Sequence, residues 1–280
     1  SMILTVVGNS GSFPGPDSPA SCYLVSGEDA DGRIWRIVLD MGNGALGTLQ
    51  RYIDLHEIDA IMLSHLHPDH CVDVGGLHVA VKWDPRGWNA GTIPLYGPSA
   101  THTYLNQLHM LPPEHSMATE FDFHVWQPRQ PVTVGPFTVT PFPVNHPCPE
   151  PFALRVEHRG PEGVEVLTYS GDTDSCEELV VAARDADVFL CEAAYEEGRE
   201  DHLRGIHLTG RRAGRTAAEA GARRLLLTHL PVWNDPRTAE AEACEAFDGP
   251  VSVARPARSY RVSGPTDRSF DALARAGADD

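Results

Sequence analysis

A chain of 280 residues, 41% hydrophobic and 22% charged, is long enough for one large α/β domain or two small ones and apolar enough for a substantial core. With 22 basic against 39 acidic residues the formal charge is −17, which disfavours polyanions such as RNA unless basic residues gather locally. No apolar run of about 18 residues crosses the chain and no secretory pattern is seen, so the expectation is a soluble cytoplasmic protein without a membrane span. The six cysteines (Cys22, Cys71, Cys148, Cys176, Cys191 and Cys244) form no Cys-x-x-Cys pair and are expected to be reduced there.

Residues 3–7 read as a first strand. It runs into Gly8-Asn9-Ser10-Gly11, a glycine-flanked turn that lets backbone approach another group closely. Residues 21–25 and 34–39 are expected to pair as strands across the polar turn Glu28-Asp29-Ala30-Asp31-Gly32. Asp40-Met41-Gly42 follows, and a short helix over 45–52 leads to the apolar run Ala60-Ile61-Met62-Leu63, which has the length of a buried strand. Directly after it stands Ser64-His65-Leu66-His67-Pro68-Asp69-His70, with four candidate metal ligands in six positions. Fourteen histidines cluster somewhere by chance, but this density at a strand end favours metal binding. His65 and His67 can take one ion while Asp69 and His70 take a second. Imidazole with carboxylate suits zinc, manganese or iron, and no cysteine is needed.

Val74, Leu77 and Val81 lie at helical spacing within 73–82. The irregular Trp83-Asp84-Pro85-Arg86-Gly87-Trp88-Asn89 reads as a substrate rim, a hydrophobic lid or a dimer contact. A strand over 93–96 and a helix over 100–108 follow, then a proline-interrupted segment, 109–117, expected near the site. His102, His109, His115 and His124 have no motif partners and are assigned no role. Residues 132–134 and 137–144 form a hairpin ending at His146; 152–157 and 164–170 form another and deliver Asp172. A helix over 177–184 precedes a buried strand, 188–191, that leads to Glu192. The charged loop 196–206 ends at His207-Leu208-Thr209-Gly210, which caps a helix over 211–222. Strand 225–228 carries His229 at its tip. A helix over 238–247 and short strands near 251–253 and 260–262 complete a single domain, 1–263, with 264–280 as a weakly ordered tail.

The pattern His65-x-His67-x-Asp69-His70, followed in order by His146, Asp172 and His229 after apolar runs, resembles the signature of the metallo-β-lactamase fold superfamily. The match spans about residue 3 to about residue 262. It implies an α/β four-layer αββα sandwich, which suits two strand-rich halves each finished by helices. The resemblance further implies that His65, His67 and His146 hold one divalent ion, and that Asp69, His70 and His229 hold a second. Asp172 would bridge the two. Zinc is the leading metal, with manganese or iron as alternatives. Metal-bound hydroxide would be the nucleophile and Asp69 would orient it. Asp40, otherwise a strand-end or helix-cap acid, would support the ligands from behind.

Asp172 stands where many β-lactamases of this fold carry cysteine, which argues against antibiotic hydrolysis. Cys191-Glu192-Ala193 with Ile206-His207-Leu208-Thr209 is similar to the acid-plus-histidine feature of the ribonuclease Z branch and its phosphodiesterase relatives. An alkoxide leaving group needs a proton or a positive donor, which His207 can supply, while Glu192 favours its imidazolium. The plain alternative is a solvated residue at a helix start. Members that mature transfer RNA carry a long arm between the His146 and Asp172 motifs, whereas here 26 positions hold a plain hairpin. That and the acidic charge make nucleic acid a poor substrate. The opening Gly-Asn-Ser-Gly, Leu190-Cys191-Glu192-Ala193 and Leu227-Thr228-His229-Leu230-Pro231-Val232-Trp233 also resemble an actinobacterial subgroup associated with hydrolysis of 3′,5′-cyclic nucleotides, cAMP above all. The expectation is therefore a dinuclear phosphodiesterase for a small substrate, with a homodimer as family habit. The alternatives are an armless ribonuclease Z-like RNA 3′-processing nuclease, a thioester or lactone hydrolase, and a non-enzymatic module with structural metals.

Overall fold

The computed structural model describes residues 1–112, 117–264 and 269–273; residues 113–116, with His115, and 265–268 and 274–280 lie outside the described residues. The apolar runs of the first half build strands β1 (Ile3–Gly8), β2 (Cys22–Glu28), β3 (Ile34–Leu39), β4 (Ala60–Met62), β5 (Ile93–Gly97) and β6 (Phe121–Val125). Those of the second half build β7 (Val132–Val134), β8 (Phe137–Pro143), β9 (Phe152–Gly160), β10 (Gly163–Tyr169), β11 (Val188–Glu192), β12 (Leu225–Thr228) and β13 (Val251–Val253). Two last strands, β14 (Arg258–Arg261) and β15 (Ser269–Asp271), return to the first sheet. The sheet orders are β15-β14-β1-β2-β3-β4-β5-β6 and β13-β12-β11-β10-β9-β8-β7.

Each sheet starts as an antiparallel meander and continues as a parallel run. β1, β2 and β3 are antiparallel neighbours, and β3 to β6 are parallel. β7 to β10 are antiparallel, and β10 to β13 are parallel. Parallel neighbours need crossover connections, and helices supply most of them. They are α1 (Ala45–Leu49), α2 (Pro68–Cys71), α3 (Val74–Trp83) and α4 (Thr101–Leu108) in the first half, then α5 (Glu177–Ala182), α6 (Gly210–Ala220) and α7 (Pro236–Ala246). Thr209 caps α6 by accepting from the Arg212 amide, and left-handed Gly221 ends it.

Three apolar clusters make the layers. Leu4, Ile37, Phe137, Leu154, Leu167 and Leu226 fill the space between the sheets. Val38, Ile61, Leu77 and Leu105 join the first sheet to its helices, and Phe189, Leu225, Ala213 and Ala243 do the same for the second. The result is the four-layer αββα sandwich. Two strands went unread in the sequence. β6 alternates Phe-Asp-Phe-His-Val at an edge, where three of its five residues are exposed. β15 pairs with β14 inside the stretch read as a weakly ordered tail, while residues 265–268 and 274–280 of that stretch lie outside the described residues.

This topology decides where a site can form. By their pairing, β1, β3, β4, β8, β10, β11 and β12 all run towards one edge, where their carboxyl ends deliver Ser10, Asp40, His65, His146, Asp172, Glu192 and His229. Ligands of open α/β sheets gather at such carboxyl edges. Leu154 is fully buried between the sheets. Leu154→Ala is expected to lower the unfolding free energy by about 2–5 kcal/mol; urea unfolding would contradict this inter-sheet core if the loss were below about 1 kcal/mol.

Candidate metal centre

The site is organised from behind by Asp40, a fully buried acid at the end of β3 with a left-handed φ of 61°. One of its oxygens accepts from the Ser64 amide at 2.7 Å. The other accepts from Ser64 Oγ at 2.7 Å, Tyr169 OH at 2.6 Å and His70 Nδ1 at 2.7 Å. These bonds fix tautomers. Because a carboxylate only accepts, His70 Nδ1 carries the hydrogen and its Nε2 faces the site. Ser64 Oγ spends its own hydrogen on Asp40 and so accepts from His65 Nδ1 at 3.0 Å, which leaves His65 Nε2 bare. His146 Nδ1 donates to the Ile206 carbonyl at 2.6 Å, with the same consequence. Three imidazoles from two segments thus present lone pairs inward.

Those lone pairs converge. His146 Nε2 lies 3.1 Å from His67 Nδ1, His65 Nε2 lies 3.4 Å from Asp172 Oδ2, and His70 Nε2 lies 3.3 Å from His229 Nε2. Asp69 Oδ2 approaches His70 Nε2 at 3.2 Å and His229 Nε2 at 3.1 Å. The donor atoms of these seven residues form two overlapping groups, each within 4.8 Å. One is His65, His67, His146 and Asp172; the other is Asp69, His70, Asp172 and His229. All seven residues expected from the motifs are therefore brought together, and Asp172 belongs to both groups. A third group of the same span, Glu192, His207 and His229, shares His229 with them.

The donor set fits divalent metal. His65 Nε2 and Asp172 Oδ1 are buried without a hydrogen bond, a costly state unless another partner is intended. Burial pushes the imidazoles of His65 and His67 below their ordinary value and that of His146 down to about 3, so all three are neutral at pH 7, the form a metal would need. Burial opposes charge on Asp69, yet the His70 and His229 imidazoles hold its carboxyl far below the usual range. Asp172 is likewise held down against burial, by His229, His70 and His65. Burial also opposes the His70 cation, but Asp172, Asp69 and Asp40 raise its pKa well above normal. The buried negative charge that favours a proton there favours a divalent cation more.

Close approach of backbone completes the pocket. A Cβ on Gly42 would strike the Asp69 carbonyl, and one on Gly11 would strike the His229 carbonyl. The glycine-flanked turn after β1 thus has a partner: Gly11 N donates to Leu230 O at 3.1 Å, and the Ser12 amide lies 3.5 Å from His229 Nε2. His229 itself takes a left-handed φ of 59°, a conformation uncommon for a residue with a side chain.

Glu192 and His207 adjoin the two groups. Glu192 is fully buried and accepts from His207 Nδ1 at 2.6 Å, the Thr173 amide at 3.0 Å, the Ala194 amide at 3.0 Å and the Leu208 amide at 3.3 Å. Burial works against the His207 cation, but Glu192, with Asp172 and Asp69, raises its pKa to about 9. The ring lies 5.1 Å from that of His146 and 5.4 Å from that of His229. Its loop is tied down by buried Arg212, which reaches the carbonyls of Asp201, Leu203 and His207 and the carboxylate of Asp174.

Sequence reasoning passed over Ser64, Tyr169, Asp174 and Arg212. Ser64 and Tyr169 stood beside recognised motifs, but nothing in their spacing marked them. Of the three readings of Trp83 and Trp88, the substrate rim is the one their place in the fold disfavours. They line a cavity of about 630 Å³ with His56, on which Trp88 stacks at 3.9 Å. That cavity is built by residues leading into β4 and β5, whereas the ligands leave β4 at its other end. His102 stacks on Phe123, and His124 pairs with Asp122, so neither joins the site.

The sequence profile of the beta-lactamase superfamily domain matches residues 35–230. The chain belongs to that superfamily. It is 44% identical over 255 residues to the uncharacterized protein Rv1339 of Mycobacterium tuberculosis, covering 90% of this chain and 89% of that one. It is 32% identical over 257 residues to the "Probable metallo-hydrolase YhfI" of Bacillus subtilis, covering 91% and 97%. The crystal structure of that metallo-beta-lactamase fold protein superposes with a TM-score of 0.77 over 92% of this chain and 98% of its own, at 30% identity. Ribonuclease Z of Myxococcus xanthus is 29% identical over 266 residues, covering 78% and 85%.

Removing the buried support should show in the metal. Asp40→Ala is expected to weaken zinc affinity about 10- to 100-fold while the chain stays folded by circular dichroism. Competition with a chelator checks it; unchanged affinity would mean that Asp40 supports only the backbone.

Proposed function

We propose that this metal-dependent hydrolase of the β-lactamase superfamily is a dinuclear phosphodiesterase that opens 3′,5′-cyclic nucleotides, cAMP foremost. His65, His67 and His146 would hold one divalent ion and Asp69, His70 and His229 the other, with Asp172 serving both; zinc best suits the set, and manganese or iron are alternatives. Such ions, when bound, supply Lewis acidity that activates water and clamps substrate oxygens. The chain's own residues do the rest. Asp69 accepts a hydrogen bond from the attacking water and orients it. Glu192 fixes the His207 ring through Nδ1, so the Nε2 proton points to the substrate and passes to the departing alkoxide oxygen.

The observation that carries this reading is the Glu192–His207 pair, 2.6 Å apart beside the metal groups. Thioester or lactone hydrolysis has less use for a held imidazolium there. The short β9–β10 hairpin between His146 and Asp172, in place of an inserted arm, and the formal charge of −17 favour a small phosphodiester over RNA. The restriction to cyclic nucleotides, the cytoplasmic location and the homodimer rest on the sequence resemblance. Six free cysteines agree with a reducing compartment, and no helix of the described residues is long and apolar enough to cross a membrane.

Protein reconstituted separately with zinc and manganese is expected to convert 3′,5′-cAMP to AMP and to leave a transfer-RNA precursor with a 3′ trailer intact. The reverse result would establish the nuclease instead. Asp69→Ala should abolish turnover and weaken one metal, whereas His207→Ala should cut kcat by about 10²- to 10⁴-fold with the metal retained. Loss of metal in His207→Ala would refute the role assigned to it. Because the folded pKa of His207 is raised to about 9, its proton is present at neutral pH and is lost as pH rises through that value. Glu192→Gln is therefore expected to move the alkaline limb of the kcat profile down by about one unit or more; an unmoved limb would contradict the pairing.

A further inference from the structure

Beside the metal centre lies an aromatic pair that the chemistry above does not use. Phe13 follows Ser12, whose amide is 3.5 Å from His229 Nε2, and Trp233 stands four residues after His229. Their ring centroids are 5.0 Å apart and inclined at 52°. Phe13 is half-buried, and Trp233 leaves 63% of its surface to solvent. The backbone beneath them is rigidly tied. Gly11 N donates to Leu230 O at 3.1 Å, Leu230 N to Asn9 O at 3.2 Å, and Asn234 N to Pro231 O at 2.9 Å. Asn234 Nδ2 is bonded to Ala194 O at 2.9 Å, which links this turn to the strand end of Glu192.

A large indole held out on a fixed turn forgoes burial that a core site would give it. Its position gives the exposure a use. The same short turns that place His229 also place the backbone of the pair. A phosphodiester seated at those ligands carries its base one sugar ring away. Phe13 lies one peptide link, about 3.8 Å, beyond Ser12. We propose that Phe13 and Trp233 form the base subsite, a neutral stacking surface for the planar heteroaromatic ring of a nucleotide substrate. This rests on the phosphodiesterase reading and adds the residues that recognise the base. Stacking discriminates poorly among bases, because each has a π face, so the subsite would favour nucleotides over base-free phosphodiesters more than adenine over guanine.

The test uses metal-loaded full-length protein. Trp233→Ala and Phe13→Ala are each expected to raise KM for 3′,5′-cAMP about five- to a hundredfold, with kcat within about threefold. Turnover of the abasic ribose 3′,5′-cyclic phosphate should be unchanged, and Trp233→Phe should restore most of the KM. An unchanged KM, or an equal loss on the abasic compound, would overturn the proposal. Binding gives a readout independent of turnover. AMP, but not ribose 5-phosphate, should quench tryptophan emission in wild type and not in Trp233→Phe. If cAMP is not hydrolysed but this quench is seen, the cyclic-nucleotide reading falls and the base subsite stands. Hydrolysis of cAMP without the quench would remove the subsite and leave the phosphodiesterase.

Discussion

Buried carboxylates set the terms for this structure. Asp40, Asp69 and Asp172 are each at most 7% exposed, and a carboxylate taken out of water is tolerated only where donors or cations surround it. Asp40 meets the requirement with hydrogen-bond donors alone: an amide, two hydroxyls and one imidazole. Asp69 and Asp172 face imidazole Nε2 atoms, and several of those rings already give their Nδ1 hydrogens to groups behind them. What they lack is positive charge, and divalent cations at the two donor groups would supply it. The orphaned His65 Nε2 and Asp172 Oδ1 point to the same need.

The sandwich makes such a concentration of charge possible. Apolar side chains pack between the two sheets, whose strands carry seven chain segments to one edge, so the polar groups meet where the apolar layers stop. Gly11 and Gly42 permit the last contacts, each lying where a side chain would strike the backbone of a ligand residue. His229 and Asp40 hold left-handed backbone angles at that edge. Local strain of this kind is borne by the packed layers beneath. The Glu192–His207 pair repeats the logic of Asp40–His70: a buried acid binds Nδ1 and turns Nε2 towards the site. At His70 the freed nitrogen meets the other donor atoms, whereas at His207 it would be left for a substrate.

The two donor groups were legible because metal chemistry restricts residue type and spacing tightly. Four of their residues fall in one heptapeptide, and the other three follow strands whose apolar runs are unmistakable. Sheet membership was less legible. β6 exposes three of its five residues at an edge and went unread, and the pairing of β15 with β14 depends on register that composition does not encode. The support residues were harder still. Asp40 and Tyr169 are bonded across 129 positions, and no local pattern announces a tyrosine that closes such a bond. For Trp83 and Trp88 the sequence left a substrate rim, a lid and a dimer contact open, because nearness in sequence does not decide nearness in space. α3, ten residues or about 15 Å long, carries them away from the ligands.

The central claim is that seven side chains hold two ions and that His207 stands outside them. Anomalous scattering from crystals of the zinc-loaded protein tests it most directly. The account predicts two zinc peaks per chain, one ligated by His65, His67 and His146 and the other by Asp69, His70 and His229, with Asp172 on both and His207 on neither. A single peak, or a peak ligated by His207, would contradict it.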